Sequence, residues 1–301
     1  MAANISIAVM KLVAWLLTGA ASLLAEAIHS AADSVNQILL LAGTRASKRK
    51  PTALHPFGFG HERFLSAFLV AIILFSMGGL FAVYEAYHKV QLVRAGGGDD
   101  LATSRWWWVA IAVIVGAMVA EGLSLRTGVR ESNLVRPPGQ SWARFIRDTR
   151  SPELPVILLE DTAALTGLTF ALVGVGMTKL TGNALWDAAG SAAIGLLLIA
   201  VAVTLAVKTQ SLLVGVSATP DEVARIEAAI ATTPGIERPI HLRTIHLGPE
   251  DVMVSAKIAV PEARTARDVA QAIDAAETRI RAVSPMVGFI YLEPDIDRGT
   301  T

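Results

Sequence analysis

The sequence predicts a membrane all-α bundle of six spanning helices, followed by a small C-terminal α+β domain of ferredoxin-like order. Three observations predict it. The 301 residues are 53% hydrophobic and only 17% charged, with a mean hydropathy of +0.51, a balance that fits a multi-pass membrane protein with a modest soluble part. Six apolar runs each approach the ~20 residues that a bilayer requires. After Gly215 the pattern changes to the short helical and alternating periods of a soluble domain. The expected division is residues 1–212 for the bundle and 213–301 for the soluble domain.

The first span is expected from Ile5 to Leu24 and the second from Ala25 to about Thr44. A basic loop follows (Arg45, Lys48, Arg49, Lys50), then Pro51 and the segment His55-Pro56-Phe57-Gly58-Phe59-Gly60-His61. The third span covers Phe64 to Tyr87, and Arg94 to Asp100 reads as a turn. Trp106, Trp107 and Trp108 form an interfacial aromatic anchor that opens the fourth span, which ends near Arg126. Between Arg130 and Arg150 the chain is polar, and Pro137-Pro138-Gly139 breaks regular structure. The fifth and sixth spans cover Leu154 to Met177 and Leu185 to Val207. In the tail, Thr219-Pro220-Asp221-Glu222 is a helix start with capping Thr, Pro in the first turn and acids behind it. Strands are expected over Ile240–Leu247, Val252–Val260 and Val287–Leu292, with a helix over Ala266–Val283, giving the order αββαβ.

Basic residues crowd the loops after spans two and four, so the positive-inside rule places those loops and both termini in the cytoplasm. Lys11 interrupts the early apolar run, which continues toward Leu24, so no cleavable signal is expected. Zero net charge gives no reason to expect a nucleic-acid partner. The absence of cysteine removes disulfides and thiolate ligands together. Any metal ion must be held by His, Asp, Glu, amide or carbonyl groups. The alanine- and arginine-rich composition points to a bacterial inner membrane.

The second span carries the chemistry. Glu26, His29 and Asp33 fall at i, i+3 and i+7, on one helical face, with Asn36 and Gln37 following. Ionisable groups at membrane depth cost about 2.5–3.5 kcal/mol each on insertion scales, so their default reading is a functional site. A His and an Asp one turn apart make half of a divalent-metal site, since imidazole and carboxylate both suit zinc. The alternative, a soluble buried helix with a solvated edge, conflicts with the hydropathy.

These motifs resemble those of the cation diffusion facilitator family of metal/proton antiporters. Ala25-Glu26-Ala27-Ile28-His29-Ser30-Ala31-Ala32-Asp33 is similar to the family's second-helix motif, and His55-Pro56-Phe57-Gly58-Phe59-Gly60 resembles the loop entering helix three. Asp187 stands where an acid opens helix six. The resemblance implies a second His/Asp pair on helix five, but those positions hold Ala164 and Leu168. The run Glu160-Asp161-Thr162-Ala163-Ala164 instead resembles a divergent branch that includes a mitochondrial zinc transporter of animals. The expected site is therefore His29 and Asp33 completed by Asp161 or Glu160, with Glu121 or Asn36 nearby and Glu26 and Asp187 as further metal or proton-coupling groups. The other reading pairs Glu160 and Asp161 with an arginine at the cytoplasmic end of a helix.

His55 and His61 form either a loop metal site or part of a fixed turn. The tail, where Ile240, Ser255 and Tyr291 replace the family's zinc ligands, reads as a dimerisation module that makes the chain a homodimer. His241 and His246 lie five apart, on opposite strand faces.

The implied activity is secondary transport by alternating access, moving a divalent cation, zinc first, against protons that compete for His29 and Asp33. Metal and protons are substrates, and no permanently bound cofactor is expected. A manganese or iron transporter, or a non-transporting scaffold or receptor that keeps the fold, are the alternatives. The metalloprotease motif His-Glu-x-x-His does not occur, so no enzyme activity is expected.

Overall fold

In the computed structural model of the chain, residues 2–96 and 100–296 are described. The chain forms two compact units. One holds residues 1–44 and 65–209, the other residues 45–64 and 210–301.

The first unit is helical. Helix α1 (Ala2–Thr18) stops at Gly19, whose φ of +66° turns the chain, and α2 (Ala21–Ser47) follows. The boundary expected at Leu24–Ala25 therefore lies earlier. Apolar periodicity runs through the junction, whereas a left-handed glycine breaks the helix there. Helix α3 (Glu62–Ile73), a π-helical segment (Leu74–Leu80) and α4 (Phe81–Arg94) form one apolar run. The turn expected over residues 94–100 falls partly on residues 97–99, outside the described residues. The short α5 (Asp100–Thr103) precedes α6 (Trp107–Val135), which continues about two and a half turns past Arg126 before Pro137 and Pro138 end it.

The stretch expected to lack regular structure contains α7 (Trp142–Asp148), capped by Ser141, with the Arg136 guanidinium 4.3 Å from the Trp142 ring centroid. The Pro-Pro-Gly break ends one helix and leaves room for the next to be nucleated by its own cap. Helices α8 (Glu153–Thr181) and α9 (Leu185–Val214) complete the unit.

Among the described residues four helical runs, residues 62–94, α6, α8 and α9, are long and apolar enough to cross a membrane, and α1 contributes a shorter apolar helix over Asn4–Thr18. This unit is an integral membrane bundle whose polarity is inverted: Val119, Leu123, Val203 and Val207 are exposed, while Lys11, Glu26, His29, Asp33 and Asn36 are buried. Small residues set the closest crossing. A β-carbon at Gly195 would lie 2.8 Å from the Val83 nitrogen and 2.9 Å from the Gly79 carbonyl oxygen, so α9 meets residues 79–83 at backbone distance.

The second unit is α+β: α10 (Pro220–Ala231), β1 (Arg238–Gly248), β2 (Asp251–Ala259), α11 (Ala266–Val283) and β3 (Val287–Asp295). The sheet order is β1-β2-β3, with β1 antiparallel and β3 parallel to β2. Val252, Val254, Ala256 and Ile258 point into one core with Ile226, Ile230, Ala276 and Ile280, as the alternation and helical spacing predict. Thr219 and Thr265 cap the two helices.

Residues 45–64 belong to this unit. Phe57 meets Phe289 edge-on with ring centroids 5.3 Å apart, Gly60 lies against Leu247 and Gly248, and Arg63 pairs with Glu250 at 3.3 Å.

Candidate metal site

Helix α2 presents one polar line to the interior of the bundle. Its 27 residues contain no Pro, and alanine at positions 25, 27, 31 and 32 keeps the backbone helical while letting neighbours approach. Along that line Glu26, His29, Ser30, Asp33 and Asn36 are all buried.

Several of their polar atoms have no hydrogen-bond partner among the described residues: Glu26 Oε1, both ring nitrogens of His29, Asp33 Oδ1 and Asn36 Oδ1. His29 Nδ1 and Asp33 Oδ1 lie 3.4 Å apart. Leaving a buried polar atom unsatisfied costs about 1–3 kcal/mol, and native structures contain few such atoms. Such a run along one helical face is a set of polar atoms chemically able to hold a cation.

Two turns of α8 face this line. Asn36 Nδ2 donates to Glu160 Oε1 at 2.8 Å, and Asp33 and Glu160 interact side chain to side chain. Asp161 Oδ2 accepts from Ser124 Oγ of α6 at 2.9 Å. Glu160 thus meets the Asn36 amide and the Asp33 carboxyl, and Asp161 a serine hydroxyl.

A cavity of about 440 Å³ joins these groups. Asp33, Glu121, Ser124, Glu160 and Asp161 line it, with Asn4, Thr44, Glu131 and Glu153 toward the end of the bundle where α1 and α8 begin and α2 and α6 end. Among the described residues no three His, Asp or Glu side chains already converge as a closed metal cluster.

The sequence-derived candidates therefore separate. Asp33, Asn36, Glu121, Glu160 and Asp161 come together, with His29 one turn deeper. Asp187 does not join them. Its carboxylate accepts from the Ala21 nitrogen at 2.6 Å, the Ser22 nitrogen at 3.2 Å and the Ser22 hydroxyl, capping the N-terminus of α2 at the opposite end of the bundle.

The loop histidines lie in the second unit, against aromatic rings. His55 is 4.7 Å from the Phe59 centroid, and His61 meets Phe64 edge-on. Burial holds the His61 pKa below its ordinary value. Ala164 and Leu168 are buried apolar residues, and between them Gly167 leaves space for the Glu26 carboxylate, whose Oε1 would be 2.5 Å from a β-carbon there.

One residue escaped the sequence reading. Lys11 of α1 is 0% exposed, and its Nζ donates to Glu26 Oε2 at 2.8 Å and to Ser30 Oγ at 2.8 Å. A lone lysine inside an apolar run was the available signal.

The family description "Cation efflux transmembrane domain" matches residues 1–214, and "Cation efflux protein, cytoplasmic domain" matches residues 218–294. The chain belongs to the cation efflux family. It is 34% identical over 250 residues to the mitochondrial proton-coupled zinc antiporter SLC30A9 of Xenopus laevis, covering 82% of this chain and 43% of that protein. The human protein of the same name is 35% identical over 251 residues, covering 82% of this chain and 42% of its own. Metal tolerance protein C4 of Arabidopsis thaliana is 26% identical over 250 residues, covering 83% and 53%. The chain thus spans about two fifths to one half of the length of these relatives.

Proposed function

We propose that this cation efflux protein is a six-span secondary transporter that exchanges a divalent cation, zinc first, for protons. The ion is held by His29 and Asp33 of α2 and by Glu160 and Asp161 of α8, with Glu121 and Asn36 beside them. The observation that carries this reading is the line of partnerless buried donor atoms on α2 at the inner end of an acid-lined cavity. The relatives named as proton-coupled zinc antiporters support the substrate and the exchange.

A neutral imidazole and ionised carboxylates bind zinc well, and the same atoms bind protons when the ion leaves. Binding draws Asp33 and Glu160 off their mutual contact and Asp161 off Ser124, since among the described residues no closed cluster stands ready. That rearrangement is what couples ion entry to helix movement in an alternating-access cycle.

In this reading α1 and α2 are the first two of the six spans, and the cavity opens to the cytoplasm, where the basic loops lie. The soluble unit serves as a homodimerisation module. The membrane is a bacterial inner membrane by composition, while the SLC30A9 relatives are named as mitochondrial. A carboxylate- and amide-rich cavity is also hard enough for manganese, which is the second substrate to measure.

The test is zinc binding to the purified full chain carrying Asp161→Asn or Glu160→Gln. Each variant is expected to weaken binding by tenfold or more, on the order of one lost charged ligand. Unchanged binding in both removes α8 from the site.

A further inference from the structure

Lys11 and Glu26 form an ion pair between α1 and α2 with both side chains 0% exposed, and Ser30 adds a third hydrogen-bonding atom. Such a pair is no bargain for stability: desolvating two charges offsets most of their attraction, and apolar residues of similar volume generally do as well. Its position is informative. Glu26 and Ser30 flank His29 on α2, and the charge of Lys11 reaches His29, Asp33 and Glu121 electrostatically. Its ammonium is bonded to Glu26 and Ser30 and lies within electrostatic reach of the residues proposed to hold the substrate ion.

We propose that Lys11 is the fixed counter-charge of the substrate site: it offsets Glu26, keeps that acid out of the ion's coordination shell, and limits how tightly the site holds a divalent cation. Four acids, Asp33, Glu121, Glu160 and Asp161, line one cavity and Glu26 lies further along α2 against Gly167; uncompensated, this charge would form a trap. A carrier must bind strongly enough to load and weakly enough to release. A tethered ammonium meets that need, because it subtracts one negative charge permanently and cannot leave with the ion.

This inference rests on the site proposed above, and the experiment separates the two. Zinc affinity is measured by calorimetry at fixed pH and salt on the purified full chain, with thermal unfolding as a check on folding. Five variants are compared: Lys11→Gln, Lys11→Arg, Glu26→Gln, the double variant Lys11→Gln/Glu26→Gln, and Asp33→Asn.

A counter-charge predicts opposite signs. Lys11→Gln binds zinc at least tenfold tighter, because a repelling charge near a divalent ion is gone. Glu26→Gln binds at least tenfold weaker, because the ammonium is left unopposed. The double variant, again neutral overall, returns to within a few fold of the parent. Lys11→Arg keeps the charge and the parent affinity.

Two results overturn the inference. If both single variants weaken binding, the pair only holds α1 against α2. If the double variant binds as poorly as Glu26→Gln, Glu26 is itself a ligand. Should Lys11→Gln fail to fold, the comparison of Glu26→Gln with the double variant carries the same test. Parent-like binding by Asp33→Asn would defeat the site reading instead, whatever Lys11 does.

Discussion

Replacing Asp187 separates a structural acid from a transporting one. Asp187 was a candidate for metal or proton coupling, yet its carboxylate is buried against the start of α2 and accepts from Ala21 N, Ser22 N and Ser22 Oγ. Asp187→Ala strands two backbone donors, at about 1–3 kcal/mol each, while the serine hydroxyl can turn to a helix carbonyl. Loss of a negative charge at a helix N-terminus adds up to about 2 kcal/mol. Release from burying a carboxylate returns part of this. The net expectation is a loss of about 2–5 kcal/mol, a fall of roughly 5–15 °C in Tm for a unit of this size. Asp187→Asn keeps one acceptor oxygen and should lose about half as much. The assay is thermal unfolding of the purified chain in detergent, followed by tryptophan fluorescence, with zinc titration of the folded protein. An alanine variant as stable as the parent refutes the capping argument. A folded asparagine variant that no longer binds zinc returns Asp187 to the ion path.

Two further predictions concern the second unit. A β-carbon at Gly60 would collide with the Leu247 carbonyl and lie 3.0 Å from the Gly248 Cα, both backbone and unable to yield. Gly60→Ala should therefore cost about 1–3 kcal/mol of local stability and expose residues 48–60 to protease, whereas Gly139→Ala, which meets nothing within 4 Å but sits at a φ of +80°, should leave that loop protected. The half-buried His61 has its folded pKa below the ordinary 6.5 because burial penalises the cation. The unfolded chain then binds more protons just below pH 6.5, so this contribution is present above that pH and is lost as pH falls through the folded pKa. Unfolding of the parent should become easier with acid in that window, and His61→Gln should flatten the dependence. An equal acid response in both clears His61 of the effect.

What could be read from the sequence was whatever local periodicity encodes. The polar face of α2 was visible because Glu26, His29 and Asp33 recur at helical spacing inside an apolar run. The αββαβ order of the tail was visible because strict alternation from Val252 and the capping Thr219 are local signals. The remainder depends on partners far apart in the chain. The Asp187 cap on α2 joins residues 166 apart, and no spacing rule links Lys11 to Glu26. The π-helical turn at Leu74–Leu80 changes hydrogen-bond register without altering hydropathy. The attachment of residues 45–64 to the second unit depends on Gly60 fitting against the backbone at the end of β1, which composition cannot reveal.

Proton-coupled movement of a divalent ion through the proposed site on α2 is tested by zinc uptake into proteoliposomes under an imposed pH gradient, for the parent and for Asp33→Asn, with matched vesicles lacking protein. Parent uptake should follow the gradient and collapse when the gradient is dissipated, and the variant should stay at the level of empty vesicles. Gradient-driven zinc flux that survives Asp33→Asn, or a parent that moves neither zinc, manganese nor iron, would contradict it.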